Sequence, residues 1–374
     1  MAAGNLGIQS IHSIDIAVRR AEPWADFFTR GCGFQNIGVS TGPTVERTGT
    51  RRHLLQCGDV RLTLAEAVHG GSDVRRFLVS HPDGIARLRL QVEDVAAVEA
   101  RLIERHATLL DGIERSEIDG VLWRELALAT PIGDVDISFV DIENGTAPLL
   151  PGMEAVAPFD ANANAATIAG VDHVAANVRT LMPVIAFYEH VLGLQRFWDV
   201  QFHTEDLRPG VGTGLKSIVM WDDASGLKLA TNEPLRPRYH ESQVAAALDG
   251  HRGAGLHQLA FAVDDIKTAV DILQAADFEM LPMPAAYYHD LPPRLDKQGI
   301  NNLPLATDDL RDRHILIDGD AQGYLLQAFC RNPLHRASDH ESGPLLFELI
   351  QRQGAKGFGE GNFRSLFEAM TKEG

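Results

Sequence analysis

The feature that most constrains this chain is an internal repeat, because self-similar segments define an architecture more firmly than local propensity does. The segment from Ile11 to Val18 runs into a helical stretch ending at Phe27, Phe28 and Gly33, and the segment from Val171 to Val178 runs into Phe187, Tyr188 and Gly193. Matched residues stand 160 positions apart, as Val18 and Val178, Phe27 and Phe187, and Gly33 and Gly193 show. A second matched pair, Gly84 to Val92 and Gly255 to Val263, is offset by 171. Each half therefore carries a strand-then-helix unit twice. The strands read as short, β-rich, partly alternating runs. Leu181, Val184, Ile185, Tyr188 and Leu192 fall at helical spacing after the third strand, and Ile266, Val270 and Leu273 do so after the fourth. Asp264 and Asp265 stand where an N-cap belongs.

The 374 residues exceed the roughly 100–200 of a typical domain, so two domains are expected. We place an N-terminal domain at 1–150, a linker at 151–166 marked by Pro151, Gly152, Pro158 and several Ala and Asn, and a C-terminal domain at 167–374. Each is expected to be α+β, with strands able to curl around a cavity. A net charge of −17 with no local basic patch argues against nucleic acid and acidic membrane surfaces as partners. No run of ~18 apolar residues and no secretory leader pattern occur, so neither membrane spanning nor export is expected. Cys32, Cys57 and Cys330 form no CxxC pair and are too scattered for a disulfide framework, which fits a reducing, cytoplasmic setting.

Three residues in the second half could hold a redox metal. An Fe(II) centre that binds oxygen and substrate needs ligands on one face and open positions on the other, and two His with one carboxylate supply this. His173 opens the third strand unit, His257 lies in the fourth, and Glu348 sits among Leu346, Phe347, Leu349 and Ile350. A lone carboxylate in so apolar a strand is costly to bury unless it meets a metal or another cation.

The stretch Phe347-Glu-Leu-Ile-Gln-Arg352, followed by Gly357-Phe-Gly-Glu-Gly-Asn-Phe363, resembles the closing signature of 4-hydroxyphenylpyruvate dioxygenases. Gly214 to Ser217, Asn232 to Pro234, Ser242-Gln243, Gly253 to Leu256 and Gly323 to Phe329 match in order and spacing across most of 167–374. The resemblance is weaker over the first 150 residues. It implies two vicinal-oxygen-chelate (glyoxalase-like) domains of repeated βαβββ units, folded as open β-barrels, with iron only in the second. At the repeat offsets, the first half carries Ser13 and Arg87 in place of ligands, so it is expected to be structural.

The resemblance further implies an Fe(II) enzyme that takes a 2-oxo acid and O2, decarboxylates the acid, hydroxylates the aromatic ring and moves its side chain. Metal ligands carried over are His173, His257 and Glu348. Substrate-pocket residues carried over are Ser217, Asn232, Gln243, Gln258 and Gln327, with Phe329, Phe358 and Phe363 as an aromatic wall and Asn362 beside them. A homo-oligomer is expected. A last helix beginning near Asn362, with Phe363, Leu366, Phe367 and Met370 on one face, would form a lid hinged at Gly357, Gly359 and Gly361, with a static packed helix as the alternative.

One departure concerns the ligands. The family reads Gln then His in the fourth strand, whereas this chain reads His257 then Gln258. Strict alternation would aim Gln258 at the metal, while a local bulge would aim His257 there. His257 is the expected ligand, with Gln258 its competitor. Leu346 and Ala230-Thr231 also depart from the family pattern and bear on the substrate. Homogentisate formation from 4-hydroxyphenylpyruvate leads the expectations. A sister reaction of the hydroxymandelate-synthase kind and a binding protein without redox metal are the alternatives.

Overall fold

The computed structural model describes residues 5–118, 120–143, 147–157, 168–203, 214–236, 238–300, 303–332, 334 and 341–362. Within them the repeat becomes two sets of strands of the same connectivity, joined into one sheet. The first half contributes β1 (Ile8–Val18), β2 (Gln35–Ser40), β3 (Thr50–Cys57), β4 (Val60–Ala67), β5 (Gly84–Val92), β6 (Glu114–Ile118), β7 (Val121–Ala129), β8 (Asp136–Glu143) and β9 (Met153–Ala155). The second contributes β10 (Ile168–Asn177), β11 (Gln195–His203), β12 (Gly214–Trp221), β13 (Lys228–Leu235), β14 (Gly255–Val263), β15 (Leu316–Asp320), β16 (Gly323–Arg331) and β17 (Leu346–Gln353).

In each half, two βαβββ units join through their first strands. β1 lies antiparallel to β5 and parallel to β4, while β5 lies parallel to β8. β10, β14, β13 and β17 repeat this pattern. Even the irregularities repeat: the register shifts at Ile8/Ser10, Ile11/Ser13 and Asp15/Ile16 recur at Ile168/Gly170, Val171/His173 and Ala175/Ala176. Among the described residues neither half closes its sheet, so each is an open barrel with an inward face.

The helices follow from the sequence pattern. Asp94 and Asp265 cap the helices Val95–Glu104 and Ile266–Ala275, accepting hydrogen bonds from Ala96 N and Thr268 N. Ile266, Val270 and Leu273 are buried on one face, as the helical spacing predicts. After β10, the helix Met182–Phe187 widens into a π-turn, Tyr188–Leu192, and ends at Gly193 in the left-handed conformation (φ 77°).

Two features were not foreseen. β9 falls inside the stretch expected as linker, where it pairs with β2. The second half also inserts the short helices Ala285–His289, Leu291–Gln298 and Thr307–Asp312 ahead of β15.

Among the described residues the halves meet through one β-bridge, Ile85 with Leu256, through side-chain contacts such as His81 with the His251 carbonyl and Asn5 with Asp222, and through an aromatic cluster. Phe27 and Phe28 of the helix Ala21–Gly31 lie 5.0 and 5.6 Å from Phe347, and Phe27 lies 4.7 Å from Phe278. Burying a ring of this size contributes roughly 1.5–3 kcal/mol. Phe347 precedes Glu348, so this cluster fixes the outer face of the strand whose inner face carries the carboxylate.

Candidate metal centre

The inward face of the second barrel gathers the polar residues. His173 on β10 and Glu348 on β17 are almost fully buried, and the imidazole Nε2 lies 3.2 Å from Glu348 Oε2. The third member is Gln258 on β14, whose amide nitrogen donates to Glu348 Oε2 at 2.5 Å and lies 3.5 Å from His173 Nε2. The backbone register accounts for this grouping, because His173 faces Ala260 across the antiparallel ladder, and Ala260 faces Glu348 across the parallel one.

His257, expected as the second imidazole ligand, is not part of this group. The register shift leaves His257 as the extra residue between Leu256 and Gln258, and Gln258 keeps the inward position opposite Ala175. The bulge is present, but it does not exchange the two side chains. His257 makes no hydrogen bond to His173 or Glu348, and its Nδ1 has no partner. Burial and then the neighbouring His251 lower its pKa to about 3, so it is neutral.

Flanking groups orient the imidazole. Asp172 Oδ1 lies 2.9 Å from His173 Nδ1, and the Arg352 guanidinium donates to both oxygens of Asp172 at 2.6 and 2.9 Å. Burial alone would raise the Asp172 pKa, but these bonds hold it well below the usual carboxylate range. Burial would likewise lower His173, yet the Glu348 charge and the bond to Asp172 lift it to about 9. The imidazolium is thus held between two carboxylates, which is what a cation site looks like to a proton.

Among the described residues no three His, Cys, Asp or Glu side chains cluster as a metal site, because an amide completes this set. The set nevertheless fits a divalent cation. Neighbouring ligands around a metal bound at ~2.1 Å stand ~3 Å apart, and separations of 2.5, 3.2 and 3.5 Å bracket that value. With Nδ1 bonded to Asp172, Nε2 can present its lone pair. A half-turn of the Gln258 amide presents oxygen at the same point. One imidazole rather than two makes the site harder and less selective for iron.

The expected pocket residues divide three ways. Gln327 donates to Glu348 Oε1 at 2.9 Å and accepts from Asn362 at 2.8 Å, so both its amide ends are engaged. Phe358 lies 4.7 Å from the His173 ring and packs with Ala175, Val219 and Ala230, while Phe329 pairs with Glu348 across β16 and β17. Ser217 and Asn232 pair across β12 and β13, further along the same interior, with Asn232 bonded to Asn177 at 3.2 Å. Gln243, by contrast, is exposed at the first turn of the helix Gln243–His251 and joins none of these, because that position points to solvent. Phe363 and the expected lid helix lie outside the described residues.

Asp172, Arg352, Tyr287 and Arg294 belong to the site's surroundings but were not singled out beforehand. Adjacency to His173 and membership of the closing signature were the available signals for the first two.

Among its described residues the first barrel holds no such set. Ser13, Arg87 and Ser138 occupy the positions of His173, Gln258 and Glu348 in register. Its interior is instead filled by ion pairs: Arg89 binds Asp15 and, at 2.9 Å, Glu125, while Arg87 pairs with Asp136 at 3.2 Å.

This fold and inward site define the Glyoxalase/Bleomycin resistance protein/Dioxygenase superfamily, whose family pattern matches residues 170–291. Over 96% of the chain it is 30% identical to 4-hydroxyphenylpyruvate dioxygenase of Caenorhabditis elegans, covering 90% of that protein. It is 31% identical, over 95% of the chain and 91% of the relative, to a probable 4-hydroxyphenylpyruvate dioxygenase 2 of Aspergillus fumigatus. A solved variant of 4-hydroxymandelate synthase from Streptomyces coelicolor superposes with TM-score 0.80 at 27% identity, over 98% of this chain and 99% of that one. The chain belongs to the 4-hydroxyphenylpyruvate dioxygenase family and is an enzyme of the non-haem iron dioxygenase type. No helix among the described residues is long and apolar enough to cross a membrane.

Proposed function

We propose that this chain is an Fe(II)-dependent dioxygenase that oxidatively decarboxylates an aryl 2-oxo acid, with 4-hydroxyphenylpyruvate as substrate and homogentisate as product. The convergence of His173, Gln258 and Glu348 on one point, beneath an aromatic wall, carries this reading. These three would hold the metal. When bound, Fe(II) would supply the electrons for oxygen and a Lewis acid for the 2-oxo acid.

The chain's own residues do the positioning. Asp172 holds the Nδ1 proton of His173 and so leaves Nε2 for the metal. Gln327 occupies Glu348 Oε1 and leaves Oε2 for it. Phe358 and the wall of Ala175, Val219 and Ala230 would hold the aromatic ring and exclude water, with Ser217 and Asn232 offering polar contacts to a phenol. The first half, residues 1–150, serves as scaffold.

The 4-hydroxymandelate synthase likeness supports a second outcome, hydroxylation of the side chain rather than the ring. Chromatography of the product from 4-hydroxyphenylpyruvate separates the two, and homogentisate is expected. A second variant tests the site itself. Glu348→Ala is expected to abolish stoichiometric iron binding while the chain stays folded; full iron content would assign Glu348 to an ion pair instead.

A further inference from the structure

We propose that Tyr287 and Arg294, carried by the helical insertion of the second half, are positioning residues for the metal-binding carboxylate. They set the direction of a hydrogen-bond relay that ends on Glu348. The inference rests on the metal reading given above.

The relay is continuous, and it is buried from Tyr287 to Glu348. Arg294 donates to the Tyr287 hydroxyl at 2.7 Å, and Ile317 N donates to the same oxygen at 2.9 Å. A guanidinium and a backbone amide can only donate, so the Tyr287 oxygen accepts from both. Its one proton goes to Asn362 Oδ1 at 2.7 Å, the nearer acceptor; Ile317 O lies farther, at 3.1 Å, and receives Arg294 at 2.9 Å. Burial raises the Tyr287 pKa, which keeps that proton in place.

Asn362 must then turn its NH2 to Gln327 Oε1, and Gln327 must turn its NH2 to Glu348 Oε1. An amide otherwise has two nearly isosteric orientations. Here the obligate donor at one end removes the choice at both amides, and Glu348 is left with Oε1 bonded to Gln327 and Oε2 facing His173 and Gln258. A reversed Gln327 would set its carbonyl against the carboxylate.

The same anchor holds the start of the C-terminal segment. Arg294 donates to Gly361 O at 3.2 Å, and Gly361 N donates to Asp318 at 2.8 Å. At Gly359 (φ +79°) a Cβ would meet Gln327 Oε1 at 2.5 Å, so the segment lies directly on the relay. Among the described residues the first half has no counterpart to the insertion and no metal set to position.

The test is Co(II) titration of full-length wild type, Tyr287→Phe, Gln327→Leu and the double variant, followed by the metal's visible absorption, with thermal melts of each metal-free protein. Tyr287→Phe keeps the ring and loses only the directing hydroxyl. It is expected to weaken Co(II) binding about tenfold, and the double variant should be no weaker than Gln327→Leu alone, because both act through one relay. Arg294→Lys, which retains a donor, should recover part of the affinity lost in Arg294→Ala. Lowered melting with unchanged Co(II) affinity in Tyr287→Phe, or independent multiplying losses in the double variant, would overturn the proposal. A wild-type chain that binds no Co(II) would remove the metal reading, and this inference with it; wild-type binding with an unaffected Tyr287→Phe would remove the inference alone.

Discussion

At the scale of single residues, the order His257-Gln258 decides what the barrel presents to a cation. Gln258 stands with His173 and Glu348, and His257 stands apart, neutral and with an unpartnered Nδ1. His257→Ala is therefore expected to leave metal affinity within about twofold of wild type, whereas Gln258→Ala should lower it tenfold or more. Gln258→His should raise affinity for Fe(II) by supplying a second imidazole. Metal content after equilibrium dialysis checks all three, and iron loss confined to His257→Ala would contradict the placement. A second expectation concerns the first barrel. The burial of Asp15 and the near-burial of Glu125 would raise their pKa values, but Arg89 holds both below the carboxylate range. Their pairing stabilises the fold above the unfolded pKa values of about 4 and is lost as pH falls through the lower, folded ones. Arg89→Met leaves the carboxylates buried with weaker partners and should cost about 3–5 kcal/mol at pH 7. Protonation relieves that cost, so the gap between variant and wild type should narrow toward pH 4 in urea melts. A gap independent of pH would mean that packing, not charge, accounts for the loss.

At the scale of elements, the aromatic seam between the halves supports β17 from behind. Phe27→Ala removes a buried ring in contact with Phe28, Phe278 and Phe347, and is expected to cost about 3–5 kcal/mol in denaturant unfolding. A loss below 1 kcal/mol would show that the seam is not a shared core. Much of this layer was legible in the chain itself. The offsets of 160 and 171 between matched residues reappear in the structure as matched strands and even matched register shifts. Asp265 caps its helix as its place before an apolar periodic run implied. Other features depend on contacts that no local pattern encodes. The bulge at His257 lies in the pairing of two strands, and alternation alone could not say which neighbour it would displace. The helical insertion carries no counterpart in the first half, so the repeat could not reveal it. Tyr287 meets Asn362 across 75 positions of chain, through side chains that read locally as an ordinary aromatic and an ordinary amide. Gln243 failed for a simpler reason, since its motif neighbours fold into a strand-to-helix turn that leaves it in solvent.

At the scale of the whole molecule, duplication has produced two barrels with opposite interiors. One neutralises its own charges with Arg89, Asp15 and Glu125; the other leaves a His, an amide and a carboxylate facing one point. We propose that the first serves stability and the second carries the chemistry. The most direct test of that account is simultaneous measurement of oxygen uptake and carbon dioxide release by the iron-loaded chain given 4-hydroxyphenylpyruvate. The account predicts one molecule of each per substrate, lost in Glu348→Ala and unaffected in His257→Ala. Iron bound at one per chain, with no oxygen uptake across a panel of aryl 2-oxo acids, would contradict it.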